Sequence, residues 1–161
     1  MTDVTAGRTP ILPEGLPNAG TPLPGIVTAG QPDAEQLAEL ARNGVEVVVD
    51  LRAASEPRGY DEVAAVARAG MEYHHIPVVG GAIGPRELEA VRDVLRRNAG
   101  RTILVHCKSA NRVGAALIPY LMLDQHRSRD EAVAMARQIG LRSDELQRAA
   151  LAHVDRLQGQ G

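Results

Sequence analysis

The feature that most constrains this chain is the alternation of short aliphatic runs with amphipathic helical periods. Val45 to Val49, aliphatic apart from Glu46, leads into Asp50, and Thr102 to Val105 leads into His106 and Cys107. Apolar residues at successive positions over so short a length suit strands covered on both faces, as in parallel sheets. Ile26 to Ala29 and Met71 to Ile76, the latter limited by Pro77, read as two further strands.

Helical signals fall between and after these runs. Asp33-Ala34-Glu35-Gln36 forms a capping box opening a helix with Leu37, Leu40 and Ala41 inward and a stop near Gly44. A second helix is expected from about Gly59 to Ala69. A third begins at Pro85, with Leu88, Val91, Val94 and Leu95 at helical spacing. The nearly all-apolar stretch Gly114 to Leu123 predicts a buried helix over about 112–125 with Pro119 bending it, and Ser128 and Ser143 open two more. The expected fold class is α/β: a three-layer α/β/α sandwich around a mostly parallel sheet of four to five strands.

Composition narrows the function. A formal net charge of −2 and the absence of Phe and Trp argue against a basic nucleic-acid or membrane surface and against base stacking. A lone Cys107 cannot form an internal disulfide, which suits a reducing, cytoplasmic setting. No run of about 18 apolar residues marks a membrane span. Residues 1–25, with five prolines, read as an irregular Pro/Gly-rich arm with little chemistry of its own. Residues 26–157 read as the working domain, and 158–161 as a frayed, disordered tail.

The chemistry concentrates in His106-Cys107-Lys108-Ser109-Ala110-Asn111-Arg112, which joins a strand to a helix. Strand ends at the carboxyl edge of an open α/β sheet are where ligands bind. Loop N–H groups and a helix amino end converge on an anion there, and the same field favours a thiolate. Arg112 adds a fixed charge and a fork for oxyanions. Cys107 is therefore the candidate nucleophile, and His106 and Asn111 are candidates for orienting the loop.

The loop resembles the P-loop of Cys-based protein tyrosine and dual-specificity phosphatases. The segments Thr28-Ala29-Gly30-Gln31-Pro32, Val47 to Arg52, Glu56, Tyr73 to Pro77 and Leu141-Arg142-Ser143 resemble the bacterial beta-lactamase-hydrolase-like phosphatase family, over roughly residues 24–155. That resemblance implies a dual-specificity-phosphatase-like fold with Cys107 as nucleophile and Arg112 as the oxyanion-binding residue. It makes His106, Lys108, Ser109, Ala110, Asn111 and Val113 the substrate-binding loop. A phosphorylated protein or small phosphomonoester would be the substrate, turned over through a cysteinyl-phosphate without cofactor or metal.

The sequence departs from the phosphatase pattern in four places. Only four residues separate Cys107 from Arg112, one fewer than is usual in these phosphatases and equal to the spacing of many rhodaneses. Ala110 stands where glycine is common, so a positive φ there is strained, and Val113 stands where Ser or Thr is common. No carboxylate follows Pro77 before Glu87; Asp50 and Glu87 are the candidate acids, each with an ordinary structural use as a cap or ion-pair partner. A rhodanese-like sulfurtransferase that takes a sulfane sulfur from a donor onto Cys107 makes less demand for an acid. A pseudo-phosphatase that binds a phosphorylated partner, or a redox sensor using the thiol, is a further alternative. Arg52 and Glu56 read as a surface or loop ion pair, with binding of an anionic substrate the alternative for Arg52; His74 and His75 on one strand face opposite sides, and His126 and His153 are expected to face solvent.

Overall fold

The computed structural model describes residues 9–159. The fold is α/β, with a mostly parallel sheet flanked by helices on both faces. The strands are β1 (Gly20–Leu23), β2 (Ile26–Ala29), β3 (Val47–Asp50), β4 (Glu72–His75) and β5 (Ile103–His106), in the order β1-β2-β5-β3-β4. Only the β1–β2 pair is antiparallel. The helices are α1 (Ala34–Arg42), α2 (Glu62–Arg68), α3 (Pro85–Arg97), α4 (Asn111–Leu123), α5 (Arg129–Ile139) and α6 (Asp144–Gly159).

The strand pleat divides the core. Val48 and Leu104 point to the face covered by Leu37 and Leu40 of α1 and Val66 of α2. Val47, Val49, Ile103 and Val105 point to the other, packed by α3, α4, α5 and α6. With no Phe or Trp, both layers are filled by aliphatic side chains packed closely. Helix α4 lies innermost, and its Gly114 lets α5 approach: a methyl there would come within 2.6 Å of the Ala136 carbonyl and 2.8 Å of Leu141 Cβ.

Several local expectations shift. Helix α2 starts at Glu62, three residues later than its apolar period suggested, because Asp61 caps it and Gly59 turns at positive φ. The segment read as an irregular arm contains β1, and Leu16 within it is buried. A short edge strand tolerates Pro22, whose missing N–H costs no central ladder bond. Helix α6 runs through Gly159; residues 1–8 of the arm and 160–161 of the tail lie outside the described residues. No helix among the described residues is long and apolar enough to cross a membrane.

One register row positions the site. Ala29, His106, Asp50 and His75 are Cα partners across β2, β5, β3 and β4, so the loops after these strands all leave from the same carboxyl edge.

Candidate active site

Strand β5 delivers His106 to that edge, and α4 begins at Asn111. The turn between them is held open from behind. Lys108 O accepts the Gln31 N–H at 3.1 Å, and Ser109 O accepts Asn18 Nδ2 at 3.0 Å. With both carbonyls turned back, the amides of Lys108, Ser109 and Ala110 have no acceptor among the described residues. Ala110 occupies the N-cap in the left-handed region (φ 68°, ψ 4°) and supplies no side-chain acceptor to the first turn of α4. The strain expected at Ala110 is therefore present, of order 1 kcal/mol, and the loop presents an uncapped ring of N–H donors.

Gly30 makes this geometry possible. A Cβ on it would lie 2.5 Å from Lys108 O, so only a glycine lets the β2–α1 connection pass so near the loop. From the opposite side, Asn111 Oδ1 accepts the Arg142 and Ser143 N–H groups at 2.7 and 3.3 Å, and Arg142 Nη2 donates to Ser109 Oγ at 3.0 Å.

Above the loop is a cleft of about 410 Å³. Lys108, Ser109, Asn111 and Arg112 floor it, with walls from Ala53, Ser55, Glu56, Val79, Gly80, Gly81, Ser143 and Leu146. Cys107 is fully buried beneath. Arg112 donates Nη1 to Glu56 Oε2 at 2.8 Å and Nη2 to Glu56 Oε1 at 2.9 Å, and Nη1 also to Val78 O at 3.1 Å. Three of the five guanidinium N–H groups are thus used, leaving Nε–H and the second Nη2–H outside these bonds, with the Cys107 sulfur beside the guanidinium. That remaining edge is the bidentate fork an oxyanion needs.

Charge is arranged to keep Arg112 fixed. The Arg112 guanidinium holds the Glu56 carboxyl well below the usual carboxylate range, with help from the Ala53 N–H and Arg52. Glu56 in turn raises Arg112, as does the neighbouring Cys107 sulfur. The ion pair read for Arg52 and Glu56 forms, with Arg52 only 4% exposed beside a half-buried Glu56, and it supports the site from the side of the Asp50 strand. Arg52 Nε reaches Glu56 Oε1 at 3.0 Å, and its Nη1 reaches Gln31 Oε1 at 2.9 Å.

His106, also fully buried, turns Nε2 to Glu62 Oε2 at 2.5 Å and Nδ1 to Cys107 O at 3.3 Å. Val113 faces the core and brings no hydroxyl to the sulfur.

Neither candidate acid stands in the cleft. Asp50 is buried, accepting the Arg52 N–H at 2.9 Å and both Arg58 Nη2 and Tyr73 OH at 2.7 Å. Burial opposes its ionisation, but His106, Tyr73, the Arg52 N–H and Arg58 outweigh this and lower its pKa. Glu87 folds back onto the Gly84 N–H in the capping box of α3. Among the described residues Glu56 is the one carboxylate that lines the cleft itself, and Arg112 and Arg52 engage both its oxygens.

Asp50, Glu62 and His106 bring one ligand atom each within 4.8 Å of one another, a grouping that separate sequence positions did not announce. Arg58 lies among them, 2.7 Å from Asp50 and 3.3 Å from Glu62. A dication there would face the Arg58 guanidinium already paired with both carboxylates, so the set fits a buried ion-pair cluster better than a metal centre. His153, expected at the surface, is buried against Glu89 at 3.0 Å.

Sequence reasoning missed Asn18, Gln31, Glu62 and Arg142 as parts of the site. Gln31 and Arg142 stood in motifs noted without a role, whereas Asn18 and Glu62 carried no local signal.

Comparison with known proteins places the fold and the family. The beta-lactamase hydrolase-like protein of Xylella fastidiosa is 32% identical over 117 residues, 68% of this chain; the chain spans about a quarter of that protein's length, 26%. The structure of a DUF442 protein from Shewanella putrefaciens CN-32 superposes with a TM-score of 0.77 at 24% identity, covering 89% of this chain and 95% of that one. TpbA of P. aeruginosa in complex with phosphotyrosine superposes with a TM-score of 0.62 at 22% identity, covering 83% of this chain and 79% of that one. Residues 21–118 match the family described as beta-lactamase hydrolase-like protein, phosphatase-like domain. This chain belongs to that family.

Proposed function

We propose that this chain is a cysteine-dependent, phosphatase-like hydrolase of a phosphomonoester. One observation carries the reading: the carbonyls of Lys108 and Ser109 are tied back, the loop amides have no acceptor among the described residues, and the Arg112 guanidinium, fixed by Glu56, neighbours the Cys107 sulfur. A phosphoryl group on the amides and the Arg112 fork would have its charge neutralised without a metal. The Cys107 thiolate then attacks phosphorus, the ester oxygen departs with the P–O bond electrons, and water cleaves the cysteinyl-phosphate to release inorganic phosphate and restore the thiol. The phosphotyrosine complex of TpbA supports a phosphomonoester substrate for this fold. The unpaired Cys107 suits a reducing, cytoplasmic setting.

A second reading rests on a separate observation: the four-residue spacing from Cys107 to Arg112, together with a cleft whose one lining carboxylate is engaged. A proton donor to the leaving oxygen is typically worth about 10²- to 10⁴-fold. Sulfur transfer does without one: the Cys107 thiolate attacks the sulfane sulfur of thiosulfate, the S–S bond breaks, sulfite leaves with its electron pair, and an acceptor thiolate later removes the sulfur from the persulfide.

A paired assay on one reduced preparation tests both. Hydrolysis of p-nitrophenyl phosphate and thiosulfate-to-cyanide transfer are each measured with wild type and Cys107→Ser. Phosphate release lost in Cys107→Ser supports the hydrolase. Thiocyanate without phosphate release replaces it with the sulfurtransferase, and full turnover by Cys107→Ser removes Cys107 from the mechanism.

A further inference from the structure

An unbroken run of side-chain hydrogen bonds circles beneath the loop. It begins at the residue before the nucleophile, where His106 Nε2 meets Glu62 Oε2 at 2.5 Å. Glu62 Oε1 accepts Gln31 Nε2 at 2.8 Å, and Gln31 Oε1 accepts Arg52 Nη1 at 2.9 Å. Arg52 Nε donates to Glu56 Oε1 at 3.0 Å, and Glu56 holds Arg112 through both its oxygens. The loop backbone from Cys107 to Arg112 closes the circuit, and Gln31 also donates its own N–H to Lys108 O at 3.1 Å.

Gln31 is the one side chain in this circuit that cannot ionise, and its chemistry is dictated from both sides. Glu62 presents an acceptor and requires a donor; Arg52 presents donors and requires an acceptor. A primary amide supplies both without adding charge. A carboxylate at position 31 would satisfy Arg52 and repel Glu62, and an ammonium would do the reverse.

We infer that Gln31 is a positioning residue that couples the His106 end of the loop, next to the nucleophile, to the Arg112 end, which takes the oxyanion. This rests on the reading of Cys107 and Arg112 as nucleophile and anion binder and holds for phosphoryl or sulfur transfer alike. With Gln31 in place, a displacement of Arg112 on anion binding is felt through Glu56, Arg52 and Glu62 at His106. Without it, the two ends respond separately.

The test reads the single cysteine directly. Alkylation of Cys107 by iodoacetamide is followed from pH 5 to 9, together with the sulfate concentration that halves its rate, since sulfate does not titrate in that range. Glu62→Gln and Glu56→Gln are made singly and together, in wild-type and Gln31→Met backgrounds, with thermal melts recorded for each. With Gln31 present, the double variant should depart at least fivefold from the product of the single effects on sulfate protection; in Gln31→Met the departure should fall within twofold. Simple multiplication in the first background, or equal coupling in both, overturns the inference.

Gln31→Glu provides a second arm independent of those carboxylate variants. The introduced carboxyl sits among Glu62, Arg52, Tyr60 and, one step further, Glu56, His106 and Arg58. Ionised at pH 8 it repels Glu62; protonated, it offers a donor and an acceptor as the amide does. Sulfate protection should be at least tenfold weaker than wild type at pH 8 and return to within threefold at pH 5, whereas Gln31→Met stays weak at both. A pH-independent defect in Gln31→Glu overturns the coupling role. Wild-type Cys107 that sulfate does not protect at all would remove the active-site reading itself, a result distinct from failure of the coupling.

Discussion

At the scale of single residues, the site is built by giving most donors and acceptors an occupation and leaving a few free. Arg112 spends three N–H groups on Glu56 and Val78 and leaves two outside those bonds. Lysine cannot divide its donors in this way. Arg112→Lys should weaken sulfate protection of Cys107 by about 10- to 100-fold, the scale of charge-assisted hydrogen bonds lost from a buried fork. Glu56 predicts an acid response. Because Arg112 lowers its pKa in the folded chain, its stabilising contribution is complete above the ordinary value of 4.5 and drains away as pH falls below it. Urea melts at pH 7 and pH 3.5 should show a smaller loss on acidification in Glu56→Gln than in wild type; an unchanged loss would separate Glu56 from the acid response.

At the scale of elements, close approaches between backbones set the geometry. Gly114 brings α5 and the start of the α5–α6 turn against α4, so Gly114→Ala forces a methyl into the Ala136 carbonyl and Leu141. Overpacking of this kind costs about 1–3 kcal/mol, read as a lower urea midpoint at unchanged slope. These contacts also explain what the sequence could and could not announce. Strands β2, β3 and β5 and helices α1 and α3 were legible because aliphatic runs, capping boxes and a Pro at the first helical position act locally. The Cys107 loop was legible because a strand end, a cysteine and an arginine lie within seven residues, 106 to 112. Strand β1 was hidden because Gly and Pro dominate its surroundings and its pairing with β2 is a tertiary event. Glu62 carried no signal of its own in the sequence, and only the fold carries it 44 positions along the chain to His106.

At the scale of the whole molecule, the site draws on both sides of the sheet. Glu62 comes from α2 on one face, while Arg142 comes from the turn between helices of the other. The N-terminal segment, read as an arm with little chemistry, contributes through Asn18, whose amide secures Ser109 O and whose φ of 46° a glycine can adopt. Asn18→Gly should keep the backbone course while weakening sulfate protection roughly fivefold, about 1 kcal/mol for one hydrogen bond; unaltered protection would show that the segment leaves the loop unaffected. The same architecture has an optical consequence. The chain has three tyrosines and no tryptophan. Two of them touch the polar circuit under the cleft: Tyr60 bonds to Gln31 and Pro32, and Tyr73 to Asp50. Tyr120 sits apart, on α4 beside Gln125. Near-ultraviolet ellipticity and phenolic emission therefore come largely from the support of the anion loop, and occupancy of the cleft can be followed in the ultraviolet without any added label.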